Sequence, residues 1–262
     1  MKQTTWACAL LSAVCICFTA TALKAAEGMS AYQIVKKSEA LMDQAKDSRN
    51  EMVMTLIDKR GNKRERKLLS YAKNYPDGAK KALLIFESPA DVKGTSFLVW
   101  SNEKKDDQQW LYLPALQRVR QVTSSSKGDS FMGSEFSFYD MGTRNLDKNS
   151  YKLLREEAVD GQACYVIESI PKEVEFYGKV ITWIRKENFV PAKMQFYDTK
   201  GAFLKEGTMS KIVTIKNINT PTHIEMKNAQ NGRSTILDLN NIQYDTGLSD
   251  DIFTQRYMQR GK

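Results

Sequence analysis

His223 is the only histidine in the chain, so any Ser-His-Asp chemistry or histidine-based metal site must be built on it. It lies in Pro221-Thr222-His223-Ile224-Glu225, with no Gly-x-Ser-x-Gly elbow and no clustered Cys or His to complete a zinc site. A strand residue with a structural or solvated role is expected there. The carboxylate pairs Glu156-Glu157 and Asp250-Asp251 are adjacent in sequence. Neighbouring strand residues point to opposite faces, which makes Glu156 and Glu157 poor partners for acid-base work. No glycine-rich phosphate loop occurs. Neither a catalytic residue nor a cofactor nor a metal is therefore expected, and the chain is read as a non-enzyme.

The chemistry on offer is noncovalent, and it is concentrated between Gly94 and Met141. Alternation places Phe97 and Val99 on one face of a strand, and Trp110 and Tyr112 on one face of the next, with Leu111 and Leu113 opposite. Pro114 marks a corner, after which Arg118 and Arg120 share a face. These arginines have two open roles: pairing with Glu135 or Asp140, or holding a lipid phosphate or a lid. The Ser- and Gly-rich stretch 123–133 follows, with Phe131-Met132-Gly133 as an apolar tip expected to be exposed as a gate or a docking point. Phe136 and Phe138, and further on Trp183 and Phe196, join Phe97, Val99, Trp110 and Tyr112 as candidate walls of an apolar cavity. Met42, Met52, Met54, Met132, Met141 and Met194 suit an adaptable lining.

The elements that must position these residues are one helix and a long run of strands. Ser30 is a good N-cap, and Ile34, Val35, Leu41, Met42 and Ala45 recur at helical spacing. From Met52 the period is two, and about ten strands follow, separated by short polar turns such as Gly61-Asn62, Pro76-Asp77-Gly78, Asp160-Gly161 and Asn231-Gly232. The pattern predicts one large, strongly curved antiparallel meander forming a barrel or half-barrel, whose lumen is a ligand cavity unless helices plug it. The N-terminal helix and the loop 124–134 are the covers available. Ser249 with Asp250 and Asp251 predicts a short closing helix.

Lys2, the apolar run from Trp6 to Phe18 and the small residues up to Ala26 form a secretory leader over 1–26, which leaves a single exported domain over 27–262. None of Cys8, Cys15 or Cys17 sits in a lipoprotein-type cleavage site, so a soluble, exported protein with no membrane anchor and only transient membrane contact is expected. Cys164, in an apolar strand pattern, is expected to be a buried structural thiol. The formal net charge is +8, spread along the chain apart from the run Lys59 to Lys67, which bridges an expected hairpin turn at Gly61-Asn62. That run is either a solvated face or a contact for an anionic surface or partner. No nucleic-acid motif is present, and no nucleic-acid partner is expected.

Gly94-Thr95-Ser96-Phe97-Leu98-Val99-Trp100, Trp110-Leu111-Tyr112-Leu113-Pro114-Ala115-Leu116, Arg118-Val119-Arg120 and Phe131-Met132-Gly133-Ser134-Glu135-Phe136 together resemble the bacterial outer-membrane lipoprotein-sorting (LolA-like) family. The match is to its exported branch, often associated with RND-type transporters. The resemblance implies a mainly β fold: an incomplete antiparallel barrel lidded by helices, with an apolar concavity for lipid or lipoprotein acyl chains in transit between inner and outer membrane. It further implies an RND-type inner-membrane transporter as a partner. The alternative is an accessory subunit that binds such a transporter through the Phe131-Met132 loop and carries no lipid.

Overall fold

The computed structural model describes residues 28–102, 105–143, 145–173 and 176–260; the expected leader lies outside them. Helix α1 (Ala31–Met42) starts where Ser30 predicts, because its side chain accepts from the Gln33 amide while Gln33 caps the Ser30 amide in return. Thirteen strands follow: β1 (Asp47–Ile57), β2 (Lys63–Asn74), β3 (Lys80–Ser88), β4 (Ser96–Asn102), β5 (Lys105–Leu113), β6 (Arg118–Gln121), β7 (Asn149–Val159), β8 (Gln162–Pro171), β9 (Lys179–Arg185), β10 (Pro191–Tyr197), β11 (Phe203–Ile215), β12 (Ile218–Asn228) and β13 (Ser234–Tyr244). The sequence pattern suggests about ten. One that it does not mark is β7, whose Lys152, Arg155, Glu156 and Glu157 obscure any alternation because it is an edge with little to bury.

All thirteen form one antiparallel sheet in the order β6-β5-β4-β3-β2-β1-β13-β12-β11-β10-β9-β8-β7. Successive strands pair as a meander does, with one break. The first and last strands pair in the middle, Met54 opposite Leu237, so β6 and β7 become the two edges although they are consecutive in the chain. The sheet is not closed. Met54 of β1, Phe86 of β3, Phe97 of β4, Phe196 of β10 and Leu237 of β13 share one buried cluster. Strands that distant in the order can meet only if the sheet curls around that face, which is therefore concave.

Two terminal segments cover the rest. Helix α1 packs Ala31 and Ile34 on Tyr165, Ile167 and Ile184 of β8 and β9, and Ser38 Oγ donates to the Phe189 carbonyl at 2.6 Å. On the convex side Leu83, Ile85, Leu98 and Trp110 lie beneath Phe253 and Met258. Phe253 comes from a 3-10 turn, Asp250–Phe253, capped by Ser249 as the sequence suggests, and Met258 from α2 (Gln255–Arg260).

Asp47, at the start of β1, fixes the path of this C-terminal cover. Its buried carboxylate accepts from the Thr246 amide and hydroxyl, each at 2.8 Å, and from the amides of Gly247 and Leu248. Burial pushes this carboxyl up, and the four hydrogen bonds outweigh it, so its pKa falls below the usual 3.8. A depressed native pKa means stability that is present above the unfolded pKa and is lost as pH falls through the native one. Asp47→Ala is expected to cost about 2–4 kcal/mol at neutral pH, read as a lower urea midpoint. That deficit should shrink in acid, where the parent loses the same interaction; a deficit independent of pH would mean that packing, not the carboxylate, holds the segment.

Candidate functional site

Because β6 and β7 are consecutive but lie on opposite edges, the connection 122–148 must cross the mouth of the curled sheet. It carries three phenylalanines into the concavity. Phe131 is fully buried, with its ring 5.0 Å from Phe97, 5.5 Å from Phe138 and 6.1 Å from Phe86; Phe136 and Phe138 are buried in the same cluster. The segment is a preformed unit. The Phe131 amide donates to the Phe136 carbonyl, Phe138 to Asp129, and Tyr139 to Lys127. Phe176 and Tyr177, from the β8–β9 connection, extend the cover, with Tyr177 against Phe196 at 5.0 Å. Gly128 passes so close to Phe176 that a Cβ would sit 2.7 Å from its ring.

Polar contacts at three places hold this lid to the sheet. Lys205 of β11, buried, pairs with the buried Asp140 at 2.5 Å and donates to the Glu135 carbonyl at 3.0 Å. Asp140 in turn accepts from Tyr177 Oη at 2.9 Å and from the Ser137 amide. At the tip, Arg66 of β2 donates to the Met132 carbonyl at 2.5 Å, and the Glu135 amide donates to Thr235 Oγ1. Met132 adopts a left-handed conformation there (φ 52), followed by Gly133 (φ 75), which turns the carbonyl towards Arg66. At the far end Gln109 Nε2 donates to the Phe138 carbonyl and Asp107 accepts from the Thr143 amide. Burial pushes the Asp107 carboxyl up, partly offset by that amide and by Lys127. Gly142 permits this approach, since a Cβ would lie 2.6 Å from Asp107 and 2.7 Å from Gln109.

The candidate residues are redistributed by this geometry. Phe97, Val99 and Phe196 line the concave face, whereas Phe136 and Phe138 enter it from the lid. Trp110 and Tyr112 do not face the concavity; they lie on the convex side under the C-terminal segment, because Trp110 pairs with Leu98 and shares its face. Trp183 is also on the other side of its strand, with Cys164, Val166 and Ala192, beneath the Lys193 ammonium at 4.0 Å. Cys164 is a fully buried thiol whose pKa is raised by burial. The Phe131-Met132 tip is not exposed as expected: Phe131 is the centre of the plug and Met132 is half-buried. Arg118 and Arg120 are exposed on edge strand β6. They do not pair with Glu135 or Asp140, since Asp140 is taken by Lys205 and Glu135 accepts from Asn228 and Asn231. Sequence reasoning missed Lys205, Arg66 and Asp107, each of which reads as an ordinary strand charge.

His223 pairs with Asp238 at 2.6 Å, and Ser210 is its register partner on the other side. Among the described residues no hydrogen bond joins Ser210 to His223, so this row lacks the contact that activates a serine.

A family model described as "Uncharacterized protein" matches residues 78–260. An outer membrane lipoprotein-sorting protein domain from Vibrio parahaemolyticus is 33% identical, covering 88% of this chain and 98% of its own, with a TM-score of 0.84. A DUF1329 family protein from Desulfovibrio piger is 34% identical over 87% of this chain and 97% of its own, with a TM-score of 0.83. A LolA superfamily protein from Nitrosomonas europaea shares the fold at 21% identity and a TM-score of 0.70, over 87% and 99% of the two chains. No curated protein matches.

Removing one partner of a buried ion pair leaves an uncompensated charge and costs about 3–5 kcal/mol. Lys205→Met is therefore expected to speed amide exchange at Phe131, Phe138 and Tyr139 while leaving the β1–β2 ladder protected. Equal loss of protection in both places would show that the pair supports the whole sheet rather than the lid.

Proposed function

Since this chain belongs to the outer-membrane lipoprotein-sorting (LolA-like) family, we propose that it is a periplasmic carrier that buries lipid or lipoprotein acyl chains on the concave face now occupied by its own lid. The observation that carries this reading is Phe131: a side chain from a connecting loop, fully buried among Phe86, Phe97 and Phe138.

The energetics suit exchange. An acyl chain gains about 0.8 kcal/mol per buried methylene, on the order of 10 kcal/mol for one long chain. Burying Phe131, Phe136 and Phe138 yields about 1.5–3 kcal/mol each. Cargo and lid therefore compete for one surface with comparable free energies, and neither state traps the protein. Met54, Met194 and Met226 in that surface adapt to chains of different shape. The concave wall comprises Phe97, Val99 and Phe196, and Phe131, Met132 and Gly133 form the moving gate. An RND-type inner-membrane transporter is the partner implied for loading or release.

Two variants bracket the idea, each assayed with a fluorescent acyl lipid and by native mass spectrometry of protein purified from periplasm. Phe131→Ser removes the competitor and is expected to tighten lipid binding about tenfold or more. A disulfide from Glu135→Cys with Thr235→Cys, at a point where the Glu135 amide already bonds Thr235, should block uptake until it is reduced. Lipid binding by neither the parent nor Phe131→Ser would defeat the carrier reading in favour of an accessory subunit.

A further inference from the structure

The alternating register brings the β1–β2 turn, the β5–β6 corner, the end of β8, the start of β11 and the β12–β13 turn to one end of the strands. The lid tip is held at this end, between Arg66 and the Thr235, Asn228 and Asn231 side chains. Its chemistry is unusual in two independent ways.

The first is a surplus of positive charge. Lys59, Arg60, Lys63, Arg64 and Lys67 are all exposed on the β1–β2 hairpin. Asp58, whose carboxylate also binds the Arg60 and Asn62 amides and the Asn62 side chain to shape the turn, and the exposed Glu65 offset only part of this charge. None of the five forms an ion pair among the described residues, whereas Lys73, Lys80, Lys179, Lys186 and Lys205 elsewhere each meet a carboxylate. Arg233, exposed, follows Gly232, where a Cβ would be 3.6 Å from the Lys59 Cβ, so the neighbouring turn adds to the same patch. The second is exposed apolar bulk. Of the five exposed large hydrophobics among the described residues, Leu116 (60%), Ile170 (42%) and Phe203 (38%) lie at this end.

We propose that this end docks on an anionic bilayer surface, with the β1–β2 hairpin against lipid phosphates and the apolar rim residues at the headgroup boundary. Long cations on a turn with apolar side chains spaced singly around a rim suit a delocalised layer of phosphate and hydrocarbon. An acidic peptide would call instead for a groove. Docking would also bear on the gate. Arg66 is held below its usual pKa by burial and by its neighbour Arg64, with Asp91 offsetting. A phosphate drawn to the hairpin competes with the Met132 carbonyl for its guanidinium and frees the lid tip where the bilayer is.

The proposal goes beyond lipid carriage, and the test separates the two. The full exported chain is sedimented with vesicles of phosphatidylcholine alone or mixed equally with phosphatidylglycerol. Binding is expected only to the anionic vesicles and is lost at high salt. Each basic side chain near such a surface is worth about fivefold in binding, so Lys59→Gln/Arg60→Gln/Lys63→Gln/Arg64→Gln should weaken it at least about tenfold. The control Lys36→Gln/Lys46→Gln/Lys152→Gln/Lys211→Gln, equal in charge, should weaken it far less. Unchanged melting temperatures show that both variants fold. Equal loss in the two variants, no binding to anionic vesicles, or binding displaced by polyglutamate but not by phosphatidylglycerol vesicles would each overturn the docking surface. Uptake of acyl lipid from detergent, measured on the same samples, tells failure of docking from failure of carriage.

Discussion

An unclosed sheet of thirteen strands curls around an apolar face, and the connection from β6 to β7 lies across that face, with Phe176 and Tyr177 extending the cover. The crossing follows from topology. Pairing β1 with β13 in the middle of the sheet puts β6 and β7 on opposite edges, and the chain must span the mouth to get from one to the other. A lid is thus a consequence of strand order, and Phe131, Phe136 and Phe138 turn a necessary connection into a plug.

Covering apolar surface with a loop brings polar backbone with it, and each of those groups needs a partner once water is excluded. The lid meets this partly within itself, through the Phe131-to-Phe136 and Phe138-to-Asp129 hydrogen bonds, and partly through charges sent from the sheet. Lys205 is the most demanding of these. A buried ammonium and carboxylate are stable together and costly apart, so the pair acts as a conditional tie, firm while the lid is down and a penalty once one partner moves. Arg66 at the tip is half-buried, and it ties the lid by a hydrogen bond to the Met132 carbonyl rather than by an ion pair.

Much of this was legible in the residues. The Ser30 cap, the period-two runs and the polar turns lead directly to α1 and to most of the strands, and the ordered motifs between Gly94 and Phe136 lead to the family. Strand β7 escaped because an edge buries little and its sequence need not alternate. Alternation also correctly separated Phe97 from Leu98 and Trp110 from Leu111. It could not say which face is concave, since both carry apolar bulk: one packs on the lid and the other on Phe253 and Met258. Trp110, Tyr112 and Trp183 were misplaced for that reason. Composition marks the loop around Phe131 as mobile and its tip as exposed, but composition is silent on what the loop lies against.

The sequence by itself determined the local conformations, the mainly β class and the motifs that lead to the family, because these depend on residue types at short separations. The tertiary structure alone decided that β1 meets β13, which faces are inside, and that Lys205 and Asp140, 65 residues apart, form the tie that holds the lid. Those outcomes depend on how the sheet curls and on which buried charges find one another, and neither leaves a periodic trace along the chain.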